Sequence, residues 1–228
     1  MVAIFVHTGP DELVSSLGDA AALDALRLSL ETSAIALAIV VAVGTPAAYL
    51  LATRRFRGKA LVTTLVELPL VLPPAVAGVG LIAALGPNGL VDAGVALQTA
   101  GVVTALTFVS APFYVRGAQA AFAAVDPPLL EASRTLGAGP ARTFARVAVP
   151  VARAGLVAGA ALAWGRALGE FGATLMFAGS FRGVTQTAPL AIYERFGTDF
   201  TSALALGAVL AAVSLAVLLS VKAVDAPR

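Results

Sequence analysis

The sequence contains no cysteine and one histidine, His7, in 228 residues. There is therefore no disulfide framework, no thiolate nucleophile and no histidine–cysteine cluster, and no metal is expected. Charge is scarce too: Asp, Glu, Lys and Arg make up 12% of the chain, about half the share of a soluble domain. A formal charge of +2 is too small to argue for nucleic acid. The chain also lacks a G-x-x-x-x-G-K-[ST] phosphate loop, an H-E-x-x-H pair and a G-x-S-x-G nucleophile elbow. Any nucleotide chemistry must then sit on a partner, and a membrane-embedded enzyme is disfavoured.

What is abundant is apolar sequence, at 59% hydrophobic residues, which defines an integral membrane protein. A bilayer core about 30 Å thick takes about 20 apolar residues as helix. Five windows qualify: 26–52, 61–85, 99–124, 153–178 and 201–221. The reading is a single transmembrane domain over 26–222, an extracytoplasmic segment over 1–25 and a cytoplasmic tail over 223–228. The start, MVAIFVHTGPDELVSS, has no basic n-region and no small-residue cleavage site, so no removable signal peptide is expected. Eleven cations fall in the loops and tail of one side: Arg54, Arg55, Arg57, Lys59, Arg116, Arg134, Arg142, Arg146, Arg153, Lys222 and Arg228. Arg27, Arg182 and Arg195 fall on the other. Because Lys and Arg are retained inside, the N terminus is expected outside and the C terminus in the cytoplasm. The second outer loop, GSFRGVTQTAPLAIYERFGTDF, has room for a short helix.

Three features interrupt the apolar spans. Pro69, Pro73 and Pro74 lie in the second, where each removes a backbone donor and kinks the helix, and broken helices line pathways or simply pack. Arg166 and Glu170 lie in the fourth, four residues apart and so on one helical face; buried charge in a span points to a pathway or a structural ion pair. Gly155, Gly159, Gly165, Gly169 and Gly172 form a run of small residues suited to close helix approach. Glu67 reads equally as a helix-end charge or a site residue. His7 reads as solvated.

Between the third and fourth spans, EASRTLGAGPARTFARVAVP (131–150) is too polar for lipid. It predicts a helix over about 127–136, a break at Gly137 to Pro140, and a second short helix to about Val149. Leu129, Leu130, Leu136, Phe144 and Val147 form an apolar face for a partner's groove, rimmed by Glu131, Arg134, Arg142 and Arg146. By physical chemistry alone this hairpin suits a partner or lipid headgroups.

The same stretch resembles the cytoplasmic EAA loop of ABC-importer permeases, a pattern of E-A-A, three residues, G, nine residues and I-x-L-P. Here it is Glu131-Ala132-Ser133, Gly137 and Val147-Ala148-Val149-Pro150, with every spacing kept and Ser and Val as small or apolar exchanges. The resemblance implies an all-α bundle of about five transmembrane helices per protomer with a cytoplasmic coupling-helix hairpin, as in type I importers. It implies that Glu131, Ala132, Ser133, Leu136, Gly137, Arg142 and Pro150 couple to the ATPase subunit. It further implies a homodimer resting on two ATP-binding cassette subunits, with ATP and Mg used there and no cofactor bound by this chain. Two further stretches, RGKALVTTLVELPLVLPPAVAG and GRALGEFGATLMFAGSFRGVTQTAPLAIY, resemble molybdate and tungstate permeases, with sulfate permeases close by. That implies a tetrahedral oxyanion handed over by an extracytoplasmic binding protein. Pathway residues would then be Pro69, Pro73, Pro74, Arg166, Gly169, Glu170, Phe171, Gly172 and Thr174. The alternatives are a permease for sulfate, thiosulfate or another small solute, and an ion-coupled secondary transporter with Arg166 and Glu170 as its coupling pair.

Overall fold

The computed structural model describes residues 19–225, with side chains up to residue 219, and every regular element among them is helical. His7, Asp11, Glu12 and Arg228, with most of the expected N-terminal segment and the end of the tail, lie outside the described residues. The helices are α1 (Ala20–Thr53), α2 (Lys59–Val71), α3 (Pro74–Leu85), α4 (Thr99–Ala123), α5 (Pro127–Thr135), α6 (Pro140–Thr143), α7 (Val149–Leu168), α8 (Gly172–Ala178), α9 (Ala188–Phe196) and α10 (Phe200–Asp225).

Among the described residues three segments are both long and apolar enough to cross a membrane: Ala20–Thr53, Pro140–Leu168 and Phe200–Leu219. The first has 34 residues, about 50 Å of helix, and so extends well beyond the hydrocarbon. It begins earlier than the sequence predicts because Asp19 caps it, its Oδ1 accepting the Ala21 N–H at 3.0 Å.

The 25-residue α4 is the centre of the bundle, packed between α1 and α7. Small residues permit this. A Cβ on Gly155 would lie 2.5 Å from Ala121 Cβ, one on Gly117 would lie 3.1 Å from Gly159 Cα, and one on Gly44 would lie 2.8 Å from the Tyr114 ring. In hydrocarbon polar side chains must find partners inside the protein. Tyr114 and Thr45 share a 2.6 Å hydrogen bond between α4 and α1, and Trp164 Nε1 donates to Ser33 Oγ at 3.0 Å, joining α7 to α1.

Two elements depart from the sequence reading. The fourth span is not continuous: α7 ends at Leu168, residues 169–171 are non-helical, and α8 restarts at Gly172. The hairpin's second arm is not a separate helix either. It runs from Pro140 through a widened π turn, Phe144–Ala148, directly into α7. Pro150 accounts for the widening, since its ring would crowd the carbonyl four residues earlier in a regular α-helix; in the π turn the Val149 N–H reaches back five residues to the Phe144 carbonyl.

Candidate functional site

The second span breaks where its prolines demand it. Pro69 is accommodated within α2, but Leu72 is extended (ψ 133°), as a residue before proline prefers, and Pro74 opens α3. The fourth span breaks at Gly169–Phe171, and the two breaks touch. A Cβ on Gly172 would sit 2.9 Å from Pro74 Cβ and 3.2 Å from the Ala75 nitrogen. Beyond them α3 and α8 run closely side by side, for a Cβ on Gly78 would lie 2.7 Å from both the Ala173 carbonyl oxygen and Met176 Cβ. Pro73, Pro74 and Gly172 are thus brought together.

Glu170 stands inside this break rather than on a continuous helical face. Its side chain is 1% exposed, Oε1 accepts the Ala173 N–H at 2.7 Å and so caps α8, and Oε2 lies 2.5 Å from Arg166 Nη2. That last contact joins opposite charges without the alignment of an N–H···O hydrogen bond. Arg166 itself remains 26% exposed. Thr174, on the first turn of α8, is fully buried and its Oγ1 has no hydrogen-bond partner. Gly169 and Phe171 lie on the other flank, lining an apolar cavity of about 390 Å³ with Ile192 and Tyr193 of α9, and the Phe171 and Tyr193 rings lie 5.0 Å apart.

Sequence reasoning missed a second ion pair between helices. Arg116 Nη1 lies 2.9 Å from Glu67 Oε1 and ties α2 to α4. Arg116 had the position of a loop-flanking charge, yet it sits within α4, seven residues before its end. The signal was available: like Arg166 and Glu170, both residues fall inside apolar windows.

In the hairpin, Gly137 takes the left-handed conformation (φ +82°) and closes α5. The Ala138 N–H reaches the Ser133 carbonyl at 3.1 Å and the Gly137 N–H reaches that of Arg134 at 2.9 Å, both hallmarks of a glycine-terminated helix. Ser133 and Thr143 share a 3.0 Å hydrogen bond that clamps the two arms. The apolar face divides in two. Leu130 is buried, and Phe144 and Val147 pack on the chain's own bundle, with the Phe144 ring 4.9 Å from that of Tyr49. Only Leu129 and Leu136, the latter 88% exposed, remain for a partner. Glu131, Ala132, Gly137, Arg142 and Pro150 are exposed.

The outer loop, by contrast, is heavily cross-linked. Thr185, Gln186 and Thr187 are buried, the Ala188 N–H donates to Ser29 Oγ at 2.7 Å, and Arg195 pairs with Asp19. Hydrogen bonding from Arg195 is the main cause that holds the Asp19 carboxyl below its ordinary value.

Comparison with known proteins bears on this geometry. Residues 44–226 match the family model described as "Binding-protein-dependent transport system inner membrane component". The chain is 43% identical to the molybdenum transport system permease protein ModB of Mycobacterium tuberculosis over 87% of its length and 78% of the relative's. It is 37% identical to the probable transport system permease protein NifC of Clostridium pasteurianum, covering 97% of this chain and 80% of that one. With the molybdate/tungstate permease WtpB of Pyrococcus abyssi it shares 37% identity over 78% and 70% of the two chains. The fold matches a bacterial ABC transporter that imports alginate (TM-score 0.76, 17% identity, 95% of this chain and 83% of that chain). It also matches the methionine ABC transporter MetNI (TM-score 0.68, 21% identity, 90% and 92%).

Proposed function

The chain belongs to the family of binding-protein-dependent transport system inner membrane components, and from that premise we propose that it is the permease subunit of an ATP-driven importer for molybdate or tungstate. The observation that carries the pathway is the contact between the two helix breaks beside the Arg166–Glu170 pair. Irregular backbone at membrane depth is tolerated where it is enclosed by protein or lines a water-filled cavity, and broken helices bracket the substrate routes of transporters. α3 begins at this junction, its 12 residues end-on to the break with no side-chain cap, so its partly positive end favours an anion. The partly exposed guanidinium of Arg166 does the same, while Glu170 offsets that charge so that a dianion is eased along rather than held. Pro69, Pro73, Pro74, Gly169, Phe171, Gly172 and Thr174 complete the pathway on this reading.

The energy comes from elsewhere. Two ATP-binding cassette subunits, using ATP and Mg, dock on the hairpin of a homodimer of this chain, which itself carries out no catalysis and binds no cofactor. Their closure pulls on residues 128–147, where Leu129, Glu131, Ala132, Leu136 and Arg142 present the docking surface and Ser133 and Gly137 keep its shape, with Pro150 just beyond at the entry to α7. Because the second arm is continuous with α7, its movement passes without a flexible joint to the break at Glu170. An extracytoplasmic binding protein delivers the oxyanion to the opposite end, with the N terminus outside and the C terminus inside. The cargo rests on the kinship with ModB and WtpB. Competition among labelled molybdate, tungstate and sulfate for uptake by the assembled complex tests it. Molybdate and tungstate should displace one another while sulfate does not; equal displacement by sulfate would reassign the cargo to sulfate.

A further inference from the structure

The described cations divide between those that hold a carboxylate and those, Arg57, Arg142, Arg146 and Arg153 included, that form no ion pair among the described residues. Arg27, Arg182 and Arg195 toward the outer-loop end each hold a carboxylate, as do Arg116 and Arg166 within the bundle. At the hairpin end, Arg54, Arg55, Lys59 and Arg134 make no such pair; Lys59 donates only to the Arg54 carbonyl, at 3.3 Å. These four cations gather around one cleft of about 500 Å³. Its walls are the last turn of α1 with the Arg54–Arg55 link, the end of α4, and the inner side of α5. Glu131 is the single carboxylate on the wall, so four cations against one anion leave a formal charge of +3. Phe122, Val125 and Leu130, all buried in the main apolar core, also line it.

The cleft is cationic and mostly polar, and it lies where α1 and α4 leave the apolar bundle, so it suits the headgroup of an anionic phospholipid. Arginine suits a phosphodiester because its planar donors meet phosphate oxygens in pairs. Basic pockets between membrane helices at the polar boundary bind acidic headgroups by the same chemistry. A lipid headgroup reaches this level already anchored in the bilayer, an advantage that a small soluble anion lacks. An acidic protein surface would have to enter a concavity lying between the hairpin and its own bundle, whereas the tip at Leu136 stands free. We propose that this cleft is a site for the headgroup of an anionic phospholipid of the surrounding bilayer. Bound there, the phosphate bridges the end of α1 to α5, the first arm of the hairpin, so that the lipid composition bears on the hairpin's position. The assignment rests on the membrane placement of the bundle and stands whatever the cargo.

The test is lipid retention by the purified full chain, read by native mass spectrometry after exchange into micelles containing phosphatidylglycerol or phosphatidylcholine. Phosphatidylglycerol should be retained about tenfold over phosphatidylcholine, and a variant with Arg54→Ala, Arg55→Ala and Arg134→Ala should lose that preference. Arg146→Ala with Arg153→Ala, which removes two cations outside the cleft, should keep it. Should the triple variant not fold, Arg55→Ala and Arg134→Ala made singly are each expected to lower the preference about threefold. Unchanged preference in the cleft variants overturns the proposal. Displacement of the lipid by millimolar inorganic phosphate would show a soluble-anion site, and its displacement by assembly with the ATPase subunit would show a protein-docking surface; either result overturns it as well.

Discussion

Glu170 is restrained from two sides, by the Ala173 N–H that it caps and by the Arg166 guanidinium, with almost no access to water. Removing one partner of such a pair leaves the other charge stranded, at a cost of about 3 kcal/mol. Glu170→Ala should therefore lower thermal stability clearly more than Glu170→Gln, whose amide oxygen can still cap α8; equal losses would assign the whole effect to the ion pair. Arg182 and Glu194 form the opposite case, an exposed pair 2.8 Å apart at the outer loop. Exposed pairs contribute roughly 0–1 kcal/mol, so Arg166→Ala should reduce uptake by the assembled complex far more than Arg182→Ala does. Matching mild effects would remove Arg166 from the pathway. Asp19 supplies a pH test. Its carboxyl is held below the ordinary 3.8, chiefly by the hydrogen bond from Arg195, so its contribution is present above pH 3.8 and fades as pH falls through the folded value. Asp19→Asn should be less stable than the parent at neutral pH, with the gap closing in acid below that point; a gap independent of pH would contradict the pairing.

At the level of elements, glycine positions separate backbone strain from crowding. Gly137 sits at φ +82° with nothing within 4 Å of a prospective Cβ, while Gly139 is equally open and needs no positive φ. Gly137→Ala should therefore cost about 1 kcal/mol through conformation alone and weaken coupling of ATP hydrolysis to uptake, and Gly139→Ala should do neither. Along α3, Gly78→Ala meets the Ala173 carbonyl, whereas Gly80 faces open space. The first should cost about 1–3 kcal/mol in thermal unfolding and the second almost nothing. Legibility at this scale followed the chemistry of single residues. The all-helical bundle was written in long apolar runs, and the break at Leu72–Pro73 in the paired prolines, although Pro46, Pro69 and Pro112 are accommodated inside helices. The break at Gly169–Phe171 was hidden because Gly165, Gly169 and Gly172 fit close packing equally well, and because hydropathy is blind to backbone direction. Glu170 was recognised as costly, but its capping role depends on a helix start that only the folded chain reveals. The hairpin's frame was plain in its spacing. The division of its apolar face was not, since Leu130, Phe144 and Val147 find their partners in Tyr49 and Phe122, distant in sequence.

For the molecule as a whole, the uneven treatment of charge is the organising feature. Cations at the outer-loop end and within the bundle are neutralised by carboxylates of the same chain, whereas those around the hairpin-end cleft are left for something outside it. This arrangement suits the proposed role of a conduit that relies on partners for energy and cargo. Glu131→Lys tests that dependence, since it should leave insertion intact while reducing ATPase docking or coupling. Normal substrate-stimulated ATPase activity and uptake in that variant would refute the coupling role. The most direct measurement is uptake of labelled molybdate into sealed vesicles, comparing this chain assembled with the proposed ATPase subunit and binding protein against the chain alone under an ion gradient. Uptake should require the full assembly and ATP and be absent with the gradient alone; gradient-driven uptake by the isolated chain would contradict it and establish a secondary transporter.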